Sequence, residues 1–272
     1  MAGIPLAVEP RPVTPAGRRA VVARANPVAK LAVATVISLA LVLTVDAVTA
    51  GAALAMELLA LPWCGMSVTG LLRRGWLVLA AAIPATVATA TLGVDSGRVL
   101  VAIGPITVST GSAAAALAIG LRILAIGVPG VVLLATTDPT DLADALAQVL
   151  RLPHRFVLSA LAALRLVGVL AEEWQALTLA RRARGLGGSG WSGRLRTVPG
   201  QVFALLVLAI RRAAVLATAM EARGFGVDAP RTWARPSRFG AGDALVVLTG
   251  VAVACAATAA GLAAGSWQLV LL

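Results

Sequence analysis

The chain reads as an all-α integral membrane protein with about five transmembrane helices and a cytoplasmic domain of two long crossing amphipathic helices. Three observations predict this. Hydrophobic residues make up 59% of the 272 positions and charged residues 13%, about half the share expected of a soluble domain, and mean hydropathy is +0.92. Five apolar runs, 28–45, 47–64, 75–94, 111–135 and 243–264, approach the roughly 20 residues that a helix needs to cross a bilayer. Between the fourth and fifth runs lies a block, 138–238, with 14 Arg against 7 acidic residues.

The charge pattern sets the orientation. A basic tail, residues 1–26 with Arg11, Arg18, Arg19 and Arg24, precedes the first run. Ala47-Val-Thr-Ala50 has the look of a signal cleavage site. However, the apolar run before it is longer than a signal core and further spans follow, so it is read as a retained span. Asp46 alone separates runs one and two, Arg73 and Arg74 follow the second, and Asp95 and Arg98 follow the third. Because cations concentrate on the cytoplasmic side, the N-terminus, the 73–74 turn and the 138–238 block are expected in the cytoplasm and the C-terminus outside. The net charge of +11 therefore points to membrane topology and anionic lipid, with no nucleic-acid partner. The segment 95–110, with Gly97, Gly104-Pro105 and Ile106-Thr-Val-Ser-Thr110, reads as a plain connector or as a short extended turn.

The cytoplasmic block opens at Thr136-Thr137-Asp138-Pro139, where Asp and Pro suit the first turn of a new helix. Asp138, Asp141 and Asp144 make an acidic edge that complements that helix's N-terminus. A helix of about 30 residues is expected over 155–184, with Leu158, Leu161, Ala162, Leu166, Val169 and Leu170 as its apolar stripe. Arg165, Glu172, Glu173 and Gln175 interrupt it. A second helix is expected to start near Pro199 and end at Arg223, with Leu205, Leu208, Val215 and Leu216 beside Arg211 and Arg212. Both are too apolar to stand free in water and too charged to span simply, so they should pack on each other and on the membrane face. The segment 185–197 holds five glycines and reads as a flexible linker. Residues 1–26, 27–137, 138–238 and 239–272 are thus the expected tail, four-span unit, cytoplasmic region and final span.

A short phrase recurs within this block. Ala180-Arg-Arg-Ala183-Arg184-Gly185-Leu-Gly187 and Ala219-Met-Glu-Ala222-Arg223-Gly224-Phe-Gly226 both read Ala-x-x-Ala-Arg-Gly-apolar-Gly, with their arginines 39 positions apart. Gly after a helix and Arg in its last turn are also what any ordinary helix end carries. Two such ends on one membrane protein suggest two equivalent sockets on a partner, each receiving a guanidinium fork suited to a carboxylate. Ala183 and Ala222 keep each end narrow, while Gly185 and Gly224 let the chain turn away.

Two charges fall inside apolar runs. Glu57 and Arg122 lie roughly 14 and 16 Å from the outer ends of runs two and four. Intramembrane charges are costly unless paired or hydrated, so an intramembrane Glu57–Arg122 ion pair is expected. The other reading is that one of them meets polar backbone or reaches an interface. Cys64 and Cys255 lie in or at apolar runs and His154 is the single histidine, which leaves no basis for a disulfide, metal site or cofactor.

These residues together resemble the T component of energy-coupling factor (ECF) vitamin and metal transporters, the cobalt/vitamin-uptake permease family. The resemblance is carried by Asn26-Pro27 with Lys30, Gly120-Leu-Arg122, Thr136-Thr-Asp-Pro139, Glu172-Glu173 and the paired Ala-Arg-Gly motifs. It implies a non-catalytic scaffold in the cell membrane whose two coupling helices each dock an Ala-Arg-Gly end into one of two ABC-type ATPase subunits. Ala183, Arg184, Gly185, Ala222, Arg223 and Gly224 would make those contacts. A membrane-embedded substrate-binding S component would be the third partner, moved by ATP hydrolysis to release a vitamin or transition-metal ion. The Arg151-Leu152-Pro153-His154 junction is shorter than the family's usual connection. The alternative is a membrane scaffold or assembly protein without a transport role. A membrane enzyme is disfavoured, since the chain lacks a His cluster, Gly-x-Ser-x-Gly, a metal-spaced acid set and a phosphate-binding Gly-rich loop with lysine.

Overall fold

In the computed structural model the described residues are 21–44, 46–93, 96–103, 106–185, 190–227 and 232–266. Most of the basic tail, the 186–189 part of the linker and 228–231 lie outside them. The chain divides into two compact units, residues 1–145 with 237–272, and residues 146–236.

The first unit begins with one turn, α1 (Val21–Arg24), and then α2 (Pro27–Leu43). Asn26 starts α2 by accepting from the Val28 amide at 2.9 Å, with Pro27 in the first turn, where its missing N–H costs nothing. α3 (Ala47–Ala60) is capped by Asp46, whose Oδ2 accepts from the Thr49 amide at 2.8 Å, and it tightens into a 3₁₀ turn over Leu61–Cys64. α4 (Val68–Arg74) and α5 (Trp76–Leu92) meet at Gly75 with a bend of 74°. The segment after α5 is more than a connector. β1 (Val99–Ile103) and β2 (Ile106–Ser109) form an antiparallel hairpin with an irregularity between Val99 and Val101. β-Branched residues favour this pleated arrangement. α6 (Thr110–Thr136) follows at once, its start fixed by a reciprocal capping box between Ser109 and Ser112. α7 (Pro139–Gln148) begins where Asp138 Oδ1 accepts from the Thr140 amide at 2.7 Å.

α8 (His154–Ala183) and α9 (Gly190–Ala222) belong to the second unit, and α10 (Ala241–Ala263) returns to the first. In the first unit α3 and α5 both pack on α6, and α2 and α10 complete the bundle. Its centre is Ile37, Leu41, Ala50, Ala53, Ala125 and Ala257. A second cluster, Leu61, Met66, Leu71, Val128 and Val132, lies along α6. The small residues let helices approach closely, as membrane bundles favour. At Gly250 a Cβ would meet Val33 Cγ2 at 2.7 Å, so only glycine fits where α10 crosses α2.

Ala47–Cys64, Thr110–Thr136 and Ala241–Ala263 are each long and apolar enough to cross a membrane, and α4 with α5 makes a bent candidate. α2, at 17 residues, is a shorter apolar helix. Thr197–Ala222 in α9 is also long and apolar enough to cross a membrane, and its most apolar stretch is left unburied.

Within the second unit, Arg151 adopts a left-handed φ of 53° and the Leu152 amide donates to Leu146 O at 3.2 Å. This turns the chain within the short junction that precedes α8. α8 and α9 then run antiparallel: Arg212 pairs with Glu173, Gln201 Nε2 donates to Thr178 Oγ1 at 3.3 Å, and Arg181 Nη1 donates to Thr197 O at 3.0 Å. The expected flexible linker is corrected here, because α9 starts at Gly190 and runs through Pro199. The proline removes one amide donor, but the Arg181 guanidinium closes on that turn, with Nη2 at 3.1 Å from the position a Cβ on Gly200 would occupy. The helix is thereby carried past a residue that reads as its start.

Candidate functional site

The two Ala-Arg-Gly ends are both helix C-termini followed by a left-handed glycine. At the end of α9, Gly224 has φ 76°, the Gly224 amide donates to Glu221 O at 2.9 Å and the Phe225 amide to Met220 O at 2.9 Å. That pair of bonds defines a Schellman motif, which requires a left-handed residue after the helix. At the end of α8, Gly185 has φ 72° and its amide donates to Arg182 O at 3.0 Å. A side chain at either glycine would be strained. Ala183, Arg184, Ala222 and Arg223 are all exposed. Neither the Arg184 nor the Arg223 side chain has a hydrogen bond or ion pair among the described residues. Each end therefore presents one uncommitted guanidinium just before a fixed turn.

Their spacing follows from the helix pairing. Arg155, at the start of α8, donates through Nη2 to Gly226 O at 2.6 Å, which ties the α9 tip to the α8 N-terminus. Gly185 lies at the other end of the same 30-residue helix. The two tips thus sit at opposite ends of one antiparallel pair, about 45 Å apart along α8. Between them the helices leave a groove of about 920 Å³, with Leu158, Leu166 and Val169 on one wall and Leu208, Leu216 and Met220 on the other. Phe156, 76% exposed, and Phe203, 69% exposed, add to the uncovered apolar surface of the pair.

Three further motifs, Asn26-Pro27, Lys30 and Thr136-Thr137, lie together in the membrane unit. Lys30 is 6% exposed. Its Nζ donates to Ala23 O at 2.8 Å, Thr136 O at 3.0 Å, Thr136 Oγ1 at 3.3 Å and Thr137 Oγ1 at 3.4 Å. One ammonium therefore joins the start of α2 to the end of α6, whose last carbonyls have no partner within the helix. Asn26 does the same toward α10. Its amide donates to Asp243 Oδ1 at 2.6 Å, and Nδ2 donates to Ser237 Oγ at 3.0 Å and Arg238 O at 3.2 Å. Sequence reasoning names Asn26, Lys30 and Thr136-Thr137 but not their junction. A lone lysine among 23 basic residues, placed inside an apolar run, is the signal that could have found it.

The expected Glu57–Arg122 ion pair is not made. Arg122 instead donates through Nη2 to Val42 O, in the last turn of α2, and both Glu57 carboxyl oxygens are buried without a hydrogen-bond partner. The reason is register. A Cβ on Gly51 would lie 3.7 Å from Leu121 Cδ1, so Arg122 is level with the residue after Gly51. Glu57 lies five residues further along α3, roughly 8 Å deeper. Counting from helix starts misses this offset. A cation on the free carbonyls of a helix C-terminus is also favourable in itself.

The family described as "Cobalt transport protein", CbiQ, matches residues 18–232. Proteins named energy-coupling factor transporter transmembrane protein EcfT are similar over shorter stretches. The one from Exiguobacterium sibiricum is 36% identical over 43% of this chain and 48% of its own length. That from Bacillus selenitireducens is 32% identical over 56% of this chain and 60% of its own, and that from Limosilactobacillus fermentum is 34% identical over 56% and 62%. The matches thus span about half to three fifths of these relatives' length. With apolar helices able to cross a membrane several times, and a family match that runs from before α1 to beyond the second helix tip, the chain belongs to the cobalt transport protein family, CbiQ, which here includes the transmembrane (T) components of energy-coupling factor transporters.

Proposed function

We propose that this chain is the coupling subunit of an energy-coupling factor importer in the cell membrane, with its N-terminus and residues 138–238 on the cytoplasmic side. Ala183-Arg184-Gly185 and Ala222-Arg223-Gly224 each dock into a groove on one of two ABC-type ATPase subunits. ATP is hydrolysed by those partners, and this chain supplies no catalytic group. Movement of α8 and α9 passes to a membrane-embedded S component, which binds the vitamin or transition-metal ion and releases it inward. The exposed apolar surface of α9 and the groove beside it support a role in holding an apolar partner.

The observation that carries the reading is the placement of two alike, uncommitted guanidinium tips at opposite ends of one helix pair. Two separate sockets need two separated plugs. A carboxylate in each socket would receive the fork bidentately, and truncating such a contact costs about 2–5 kcal/mol of binding. The test is purification of the intact complex with Arg184→Ala, Arg223→Ala and the double Glu variant. Each single change should lower retention of the ATPase subunits, and the double change should abolish it and the uptake that depends on it. Lys at either position should fall between Arg and Ala, since it keeps the charge and loses the fork. Unchanged retention and uptake in the double Glu variant would reduce the chain to a scaffold of another kind.

A further inference from the structure

α2, α3, α6 and α10 line a cavity of about 410 Å³ within the membrane unit. Its walls are apolar: Ile37, Met56, Val128, Val132 and Val253 among them. Glu57 also lines it. The side chain is 7% exposed and neither carboxyl oxygen has a hydrogen-bond partner. The other charged group on the wall, Lys30, is already committed to Ala23 O, Thr136 O and the Thr136 and Thr137 hydroxyls.

A buried polar group without a partner is costly, and more so in a bundle immersed in lipid, where water cannot repair the loss. Among the described residues no donor meets this carboxyl. We infer that the cavity is a binding site for a small hydrophobic amine, its ammonium on Glu57 and its apolar body against Ile37, Met56, Val128 and Val253. The volume falls in the range of small-molecule sites, about 300–1,000 Å³, and such sites join apolar walls to a few polar anchors. An ammonium gives a carboxylate the stronger, charge-assisted bond. A metal ion fits less well, because no group of three or more His, Cys, Asp or Glu gathers among the described residues. A phospholipid headgroup fits less well, because Glu57 is 11 residues past Asp46, roughly 16 Å along α3, and faces an apolar wall. This site is independent of the coupling role.

Trp63 lies on the cavity wall and reports on occupancy. Bromine quenches a nearby indole, so a bromine-tipped dodecylamine can be titrated into the detergent-solubilised full chain, with bromododecane as the probe lacking the amine. Saturable quenching by the amine is expected in the wild type and is lost in Trp63→Phe. Glu57→Gln, which keeps the shape, and Glu57→Leu, which removes the polar group, should each weaken the amine about tenfold, the scale of a hydrogen bond to a charged group. Both should leave bromododecane unchanged. Equal affinity of the wild type for the two probes would overturn the inference. So would amine quenching that survives Trp63→Phe, or that is unaltered in both Glu57 variants.

Discussion

Lys30→Met isolates the junction that joins the start of α2 to the end of α6. Methionine nearly fills the lysine stem's volume, so the change removes the ammonium and leaves the packing. Two carbonyls, Ala23 O and Thr136 O, lose a donor at 2.8 and 3.0 Å. Leaving each part-buried acceptor unmet costs toward the low end of about 1–3 kcal/mol. The hydroxyls lose less, since Thr136 Oγ1 already donates to Val132 O at 2.8 Å. Against this stands the desolvation of the ammonium, several kcal/mol in a buried site, which the substitution relieves. The carbonyls are only part-buried, so the two sides largely cancel and a net loss of about 1–2 kcal/mol remains. For a chain of this size that lowers Tm by about 3–6 °C.

The assay is thermal unfolding in detergent, paired with amide hydrogen exchange across α1 and the 136–140 turn. Exchange should quicken there and stay unchanged in the β1–β2 hairpin. Lys30→Arg, which restores donors, should recover most of the loss. If Lys30→Met raised Tm, the desolvation of the ammonium would outweigh the bonds it makes. The junction would then be a cost borne for some other end, and its role in holding α2 to α6 would be refuted.

Gly224→Ala places a side chain at φ 76°; the strain, about 1–2 kcal/mol, should fray the α9 end and speed exchange at the Phe225 amide, while Gly224→Asn, tolerant of that φ, does so less. Gly250→Leu drives a side chain into Val33 and should cost about 1–3 kcal/mol, partly recovered by Val33→Ala, as read by thermal unfolding of the single and double variants. The Glu173–Arg212 pair has side chains 31% and 39% exposed, so a double-mutant cycle should return a coupling of only about 0.5–1 kcal/mol, and exchanging the two charges should restore most of it.

The membrane helices were legible because length and apolar content determine them almost alone. Runs 111–135 and 243–264 became α6 and α10 within a few residues. The helix tips were legible for a different reason: a left-handed residue after a helix is nearly always glycine, so Arg-Gly marks its own position. Where reasoning fell short, the deciding interaction was long-range. Pro199 reads as a helix start from local chemistry, yet Arg181 on the preceding helix supports its turn. The hairpin depends on pairing between two short strands in a segment that reads as a plain connector or a short extended turn. Glu57 and Arg122 were matched by depth, but depth counted from helix ends ignores how far one helix slides past its neighbour.

That last failure bears on the tips themselves. Sequence shows two copies of one phrase and is silent on where they go; a repeat could equally have placed both on one face. The Arg155–Gly226 bond and the antiparallel pairing of Glu173 with Arg212 separate them by the length of α8. Substituting Arg155 therefore tests the geometry without touching either tip arginine. Arg155→Ala should free the α9 tip and raise amide exchange at Phe225 and Val227, with the Arg184 end unaffected. If the two tips act as separate plugs held at a fixed span, ATPase retention should fall although both guanidinium groups remain. Loosened exchange with full retention would mean that the span is set by the partners instead, and that the chemistry of the Arg-Gly ends alone specifies docking.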